Sequence, residues 1–103
     1  MTHVVAHRPR LAWDGARAIV ATIEAGQDAW LAALVRDRLG PSYAQAVADS
    51  RQRLAANSDA FLTEAGLWRV RLDDLLGQRP DLAPQVAELT SQATAHLLAI
   101  GAR

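Results

Sequence analysis

A chain of 103 residues with no cysteine and a formal net charge of zero leaves few classes of protein open. The length favours one domain with a modest core, and the missing cysteines exclude disulfides, thiolate catalysis and zinc–cysteine sites. Because the charges balance, the chain has no long-range field that would attract nucleic acid or an anionic membrane.

Residues 1–10 combine histidines, arginines and a proline, a composition typical of a flexible arm. His3 and His7 are four residues apart, but no further ligand lies near them and Pro9 disfavours a helix, so we expect no metal site there. The segment lacks the apolar core of a signal peptide, and no stretch of the chain approaches the ~20 apolar residues of a membrane span. These features predict a cytoplasmic protein.

Residues 11–39 have the spacing of one long amphipathic helix. Small or apolar side chains recur at alternating steps of four and three from Ala12 to Ala33. Gly26 lies on this stripe, where it either allows another backbone to approach closely or breaks the helix, and the spacing does not decide between the two.

Gly40-Pro41 is expected to end the first helix. Ser42 and Gln45 have the spacing of a capping box, which predicts a second helix of about four turns from this point. The run Asn57-Ser58-Asp59 then favours a stop.

The stretch from Phe61 to Leu89 contains two apolar stripes separated by a Gly/Pro break. Trp68 lies on the first stripe and is expected to point inward, and Gly77 is expected to end that helix in a left-handed conformation. A short connection makes the two helices antiparallel neighbours. The sequence therefore predicts an all-α domain over residues 11–103, a four-helix bundle built on a long first helix and a C-terminal helical hairpin.

The unequal helix lengths indicate where a partner could bind. A straight helix over residues 11–39 would be ~40 Å long and the second only ~20 Å, so the first either bends at Gly26 or has apolar surface that another chain covers. Three tryptophans support an interface, since tryptophan is enriched at interaction hot spots, although filling the core is an equal alternative. The candidate interaction residues are Ile19, Ile23, Gly26, Trp30, Leu31, Leu34 and Val35.

No set of side chains indicates an enzyme. The serines lie in ordinary helical or capping positions, His96 is the only histidine outside the arm, and the glycines do not form a phosphate-binding loop. We therefore expect no catalytic residue, cofactor, metal or small-molecule substrate.

A small helical DNA-binding regulator is the alternative function, because four arginines lie near short breaks. They are Arg51, Arg53, Arg69 and Arg71. Residues two apart on a helix point to different sides, and neighbouring aspartates cancel the positive field, so nucleic acid is not the expected partner.

Three stretches carry a resemblance to a known family. They read WDGARAIVATIEAGQDAW, AVADSRQRLAANSDAFL and GLWRVRLDDLLGQRPDLAPQVAEL, and together they extend from Trp13 to about Leu98. The chain resembles small, alanine- and arginine-rich actinobacterial helical proteins of bacterial conflict systems, sometimes called CATRA-associated small proteins. This resemblance implies a non-enzymatic component that works beside multidomain NTPase or peptidase-linked immunity proteins. The expected function is that of an adaptor or assembly protein with a protein partner, a second copy of itself, or both.

Overall fold

The computed structural model describes residues 7–101, and this part of the chain forms five α-helices and no strand. The helices are α1 (Arg8–Glu24), α2 (Asp28–Leu39), α3 (Pro41–Ala56), α4 (Phe61–Gln78) and α5 (Ala83–Ala99). A single 3-10 turn, Pro80–Leu82, precedes α5. The all-α class is therefore confirmed. Within residues 7–101, none of the helices has the length and apolar character needed to cross a membrane.

The first predicted helix is two helices, which is why there are five and not four. α1 ends at Glu24, and Gly26 adopts a φ of 78°, a left-handed conformation that a residue with a Cβ reaches only at a cost. The amide N–H of Gln27 then donates to the carbonyl of Thr22 at 3.1 Å, which closes the end of α1. α2 turns back and packs mainly against α3.

α1 begins at Arg8, three residues before the predicted start. Pro9 lies in the first turn, where the missing N–H has no intrahelical partner to lose, so the proline starts the helix and does not prevent it. Residues 1–6 of the predicted arm lie outside the described residues.

α1 is the central helix, since it makes the most extensive contacts with α4 and also packs against α5. Gly15 allows this close approach: a Cβ placed there would lie 3.0 Å from Leu72 Cδ1 of α4 and 3.3 Å from Thr90 Oγ1 of α5. α4 and α5 make few contacts with each other. The two helices of the predicted hairpin therefore each pack against α1 and are not a directly packed antiparallel pair.

The C-terminal turn of α4 also differs from the expectation. Gly77 is helical and the helix continues to Gln78, so the glycine does not end it. A Cβ at Gly77 would lie 3.2 Å from Nη1 of Arg8, whose Nε donates to Asp73 Oδ1 at 2.9 Å. The glycine thus makes room for an arginine that ties the start of α1 to the end of α4.

The helix start after Gly40-Pro41 is confirmed, with Gly40 at a φ of 118° and proline as the first residue of α3. The predicted capping box is not formed, because no side chain caps this helix and Gln45 donates to Asp49 at 3.1 Å. Trp68 is fully buried, as predicted. It is the largest of the enclosed side chains, which include Ile19, Val20, Leu31, Val35, Val47, Leu72, Val86 and Leu89.

Candidate functional site

The seven predicted interaction residues divide into buried and accessible positions. Ile19, Ile23, Leu31 and Val35 are at most 5% exposed and belong to the core of the chain itself. They fill the interior because the turn at Gly26 brings α2 back against the rest of the molecule. A partner cannot reach these four side chains in the folded protein.

The accessible positions are Gly26, Trp30 and Leu34. Gly26 is exposed in the turn, and a Cβ there would contact nothing within 4 Å, so its role is conformational. Trp30 and Leu34 are half-buried on one face of α2, four residues apart. They are the part of the predicted set that can contact a partner.

Trp30 and Leu34 line an open groove between α2 and α5, which we call the α2/α5 groove. Its volume is about 510 Å³, and its lining residues are Trp30, Ala33, Leu34, Asp37, Gln92 and Ala95. Four of these six residues are apolar, and Asp37 is the one charged member. The groove is therefore a mainly apolar surface between two helices.

A stacked pair of rings fixes one end of the groove. The rings of Trp30 and His96 lie 3.8 Å apart between centroids with an interplanar angle of 5°. His96 Nε2 lies 2.8 Å from Oε1 of Gln27, within hydrogen-bond distance. These contacts hold the end of α5 against the start of α2, and they give His96 a structural role that the sequence did not reveal.

Arg38 joins the two helices at the other end. Its Nη1 donates to Gln85 Oε1 at 3.0 Å and its Nη2 to Gln92 Oε1 at 3.3 Å. Since Trp30 near the start of α2 meets the end of α5, and Arg38 near the end of α2 meets the first part of α5, the two helices are antiparallel. Both acceptors of Arg38 are neutral, and no carboxylate among residues 7–101 forms an ion pair with this guanidinium.

A buried polar network joins α3 to α4. Nε1 of Trp68 donates to Ser50 Oγ at 2.8 Å, and Ser50 Oγ donates to Glu64 Oε1 at 2.8 Å. Arg53 donates to both carboxylate oxygens of Glu64, at 2.6 and 3.0 Å. Glu64 is only 1% exposed, so this paired and hydrogen-bonded state satisfies the charge that burial would otherwise penalise.

The network changes the ionisation of its charged members. The hydrogen bonds from Arg53 lower the pKa of Glu64 below its usual value, and the same contacts raise the pKa of Arg53. Ser50 is fully buried, and its hydroxyl donates to Glu64 and accepts from Trp68 and, at 3.5 Å, from Arg53. A serine enclosed in this way has no access to a substrate, so the network stabilises the α3–α4 contact and does not form a nucleophilic site.

A second surface groove lies beside the first half of α1, and we call it the Trp13 groove. Its volume is about 490 Å³, and its lining residues are His7, Pro9, Arg10, Trp13, Asp14, Arg17 and Arg69. Arg69 comes from α4 and the other six from α1 or the residue before it. This groove could not be predicted from the sequence, because it depends on how α4 lies against α1.

Within the described part of the chain, no three histidine, aspartate or glutamate side chains come close enough to hold a metal ion. Comparisons with models of known protein families, with curated proteins and with solved structures give no match for this chain.

Proposed function

We propose that this protein is a small non-enzymatic helical adaptor that binds a helix of a protein partner, or of a second copy of itself, in the α2/α5 groove. The observation that carries the proposal is the accessible pair Trp30 and Leu34 on the wall of a mainly apolar groove between antiparallel helices. Such grooves accept the apolar face of an amphipathic helix. Tryptophan is also among the residues that contribute most to interaction energy.

The apolar surface extends beyond the groove along α5. Leu98 is three residues after Ala95 and therefore next to it on the helix surface, and it is 74% exposed. Glu88 is the one acidic residue of α5, and the helix contains no arginine. A partner helix can thus contact α5 from Gln92 to Leu98, about two turns, at little cost in removing charges from water.

The resemblance to small proteins of bacterial conflict systems supports the same function. It suggests a cytoplasmic protein whose partner is a multidomain NTPase or peptidase-linked immunity protein. Self-association through the α2/α5 groove is compatible with such a role, because an assembly component can bind a copy of itself before or together with the partner.

A matched pair of substitutions on α5 tests this proposal. Ala95→Arg places a long charged side chain in the groove, whereas Ala87→Arg changes an equally small, exposed residue of the same helix that does not line it. We expect Ala95→Arg to abolish self-association in size-exclusion chromatography with light scattering, or the capture of a partner from the source cells, and Ala87→Arg to leave it unchanged. The proposal would be refuted if the wild-type protein is strictly monomeric and if it captures the same proteins as the Ala95→Arg variant.

The DNA-binding alternative receives little support from the arginines that suggested it. Arg51 lies 3.2 Å from Asp28, Arg53 is held by Glu64, and the guanidinium of Arg71 lies 5.0 Å from the ring centroid of Trp68. Of the four residues, Arg69 is the one that forms no ion pair or ring contact within residues 7–101. A mobility-shift assay at low salt with DNA from around the gene tests this alternative.

A further inference from the structure

The Trp13 groove has a positive charge that the rest of the molecule lacks. Its three arginines and one aspartate give a formal charge of +2, without counting His7, in a chain whose net charge is zero. The remainder of the chain therefore has a formal charge of −2. The groove is a local positive site on a protein with no overall positive field.

The aspartate of the groove does not neutralise its arginines. Asp14 lies 3.8 Å from Arg10 Nε and 3.6 Å from Arg17 Nη2, distances that are too long for hydrogen bonds, and both guanidinium groups are largely exposed. Loose pairs of this kind on the surface contribute little energy and are easily exchanged for another anion.

Arg69 adds a cation from the neighbouring helix. Asp73 lies four residues after Arg69, a spacing that allows an ion pair on a helix, but Asp73 instead accepts a hydrogen bond from Arg8 at 2.9 Å. Arg69 forms no ion pair with any residue between 7 and 101, and it faces the same groove as Arg10 and Arg17. An anion that enters the groove thus meets Arg69, which is unpaired within residues 7–101, beside Arg10 and Arg17, whose contacts with Asp14 are long.

Trp13 provides a planar apolar wall beside these cations. Its side chain is half-buried, and the guanidinium carbon of Arg17 lies 5.4 Å from the ring centroid. Arginine and tryptophan together form a surface on which a flat ring can stack, because both groups are planar and a guanidinium interacts favourably with an aromatic face.

We propose that the Trp13 groove binds a phosphate monoester carried on a planar ring, a ligand with the size and chemistry of a nucleoside monophosphate. A phosphate monoester has a charge close to −2 near neutral pH, which matches the formal charge of the groove, and arginine forks bind phosphate oxygens in pairs. The volume of about 490 Å³ lies in the range of small-ligand sites. The single tryptophan accommodates one ring, and the neutral chain lacks the extended positive surface that a nucleic acid strand requires.

Binding is tested with adenosine monophosphate as the probe, followed by the indole N–H signals of the three tryptophans in nitrogen–proton correlation spectra. Trp13→Phe assigns the relevant signal. Titrations with adenosine and with inorganic phosphate separate the contributions of ring and anion. We expect the nucleotide to shift the Trp13 signal and to bind at least about tenfold more tightly than either fragment, with an affinity that falls as salt is added.

Two charge reversals provide the matched variants. Arg69→Glu changes a cation that lines the groove, and Arg36→Glu changes an exposed arginine of α2 that does not line it. We expect the first to weaken nucleotide binding about tenfold or more and the second to change it by less than about twofold. Far-UV circular dichroism should be used to check that both variants remain folded.

Three results would overturn the proposal. One is an unchanged Trp13 signal at millimolar nucleotide in low salt, and another is an equal loss of affinity in both variants. The third is that a glutamate-rich peptide binds in an Arg69-dependent manner while the nucleotide does not, which would assign the groove to an acidic protein segment.

Discussion

Replacing Ser50 by alanine tests whether the α3–α4 network stabilises the fold as the structure implies. The serine hydroxyl is the acceptor for the indole N–H of Trp68 and a donor to Glu64, both at 2.8 Å, and all three side chains are buried. Alanine fits the space, but it can neither accept a hydrogen bond from the indole nor donate one to the carboxylate. The indole N–H would then lie in the core without a partner.

The expected loss of stability follows from these two contacts. A buried donor without an acceptor costs about 1–3 kcal/mol, and a hydrogen bond to a charged group contributes about 1.5–3 kcal/mol. Because Arg53 still donates to both oxygens of Glu64, we expect the lost Ser50–Glu64 hydrogen bond to cost an amount at the low end of the second range. We expect Ser50→Ala to reduce the free energy of unfolding by roughly 2–4 kcal/mol, which for a domain of this size lowers the melting temperature by about 10 °C or more.

A double-mutant cycle with Trp68→Phe isolates the hydrogen bond. Phenylalanine removes the indole N–H, so in the double variant no donor is left unpaired, and the combined loss should be smaller than the sum of the single losses by about 1–2 kcal/mol. Urea unfolding should be followed by far-UV circular dichroism, since the substitution changes tryptophan fluorescence. Ser91→Ala, at an exposed serine of α5, serves as the control and should cost at most about 0.5 kcal/mol. Additivity of the two core substitutions within about 0.5 kcal/mol would refute the reasoning.

Other predictions concern pH and three glycines. Because the fold lowers the pKa of Glu64 below its usual value near 4.5, the stability that its carboxylate contributes is present above that value and is lost as the pH falls through the lowered pKa. Urea midpoints between pH 3 and 7 should show that Glu64→Gln removes much of this loss, whereas Asp81→Asn, in a solvent-screened surface pair with Arg79, has little effect on it. Thermal unfolding should show Gly15→Ala destabilised by about 1–3 kcal/mol through overpacking, and Gly66→Ala, with open space around its Cβ, stabilised by about 0.5–1 kcal/mol. Gly26→Ala should cost about 1–2 kcal/mol, and an unchanged or higher melting temperature would show that a left-handed residue is not required at the turn.

The buried faces of the helices could be predicted because they follow directly from apolar spacing. Trp68 and Leu72 lie on the predicted stripe of α4, and both are fully buried. Spacing shows which face of a helix is covered but not which helix covers it. The close approach of both α4 and α5 to α1 depends on the absence of a Cβ at Gly15, whose neighbours Leu72 and Thr90 are 57 and 75 residues away in the sequence.

The turn at Gly26 could not be decided from the sequence because the apolar stripe continues in phase on both sides of it. Ile23 and Trp30 have the spacing of a continuous helix, and both are packed against the core although they lie in different helices. A glycine in a helix costs at most about 1 kcal/mol, which is too little to exclude continuity. The left-handed backbone is favoured by the tertiary contacts that α2 gains with α3 and α5.

The grooves and the polar network could not be predicted from the sequence, because they depend on contacts between residues that are far apart in the chain. Trp30 and His96 stack although 66 residues separate them, and Arg69 faces the Trp13 groove only because α4 lies beside α1. One signal in the sequence could have revealed the network. Glu64 lies on the covered side of α4, and a carboxylate in that position requires a donor such as Arg53.

A substitution at Ala95 separates folding from association better than a substitution at Trp30. Trp30 is the largest accessible side chain predicted for the interface, but its stack with His96 helps to join α2 to α5. Trp30→Ala would therefore remove a partner contact and loosen a wall of the groove, so a loss of binding would have two explanations. Ala95 is exposed, forms no side-chain hydrogen bond and lies on the opposite wall of the same groove. A charge at Ala95 obstructs the groove without removing any contact within the molecule, and for this reason it distinguishes a binding surface from a structural one more directly than any tryptophan.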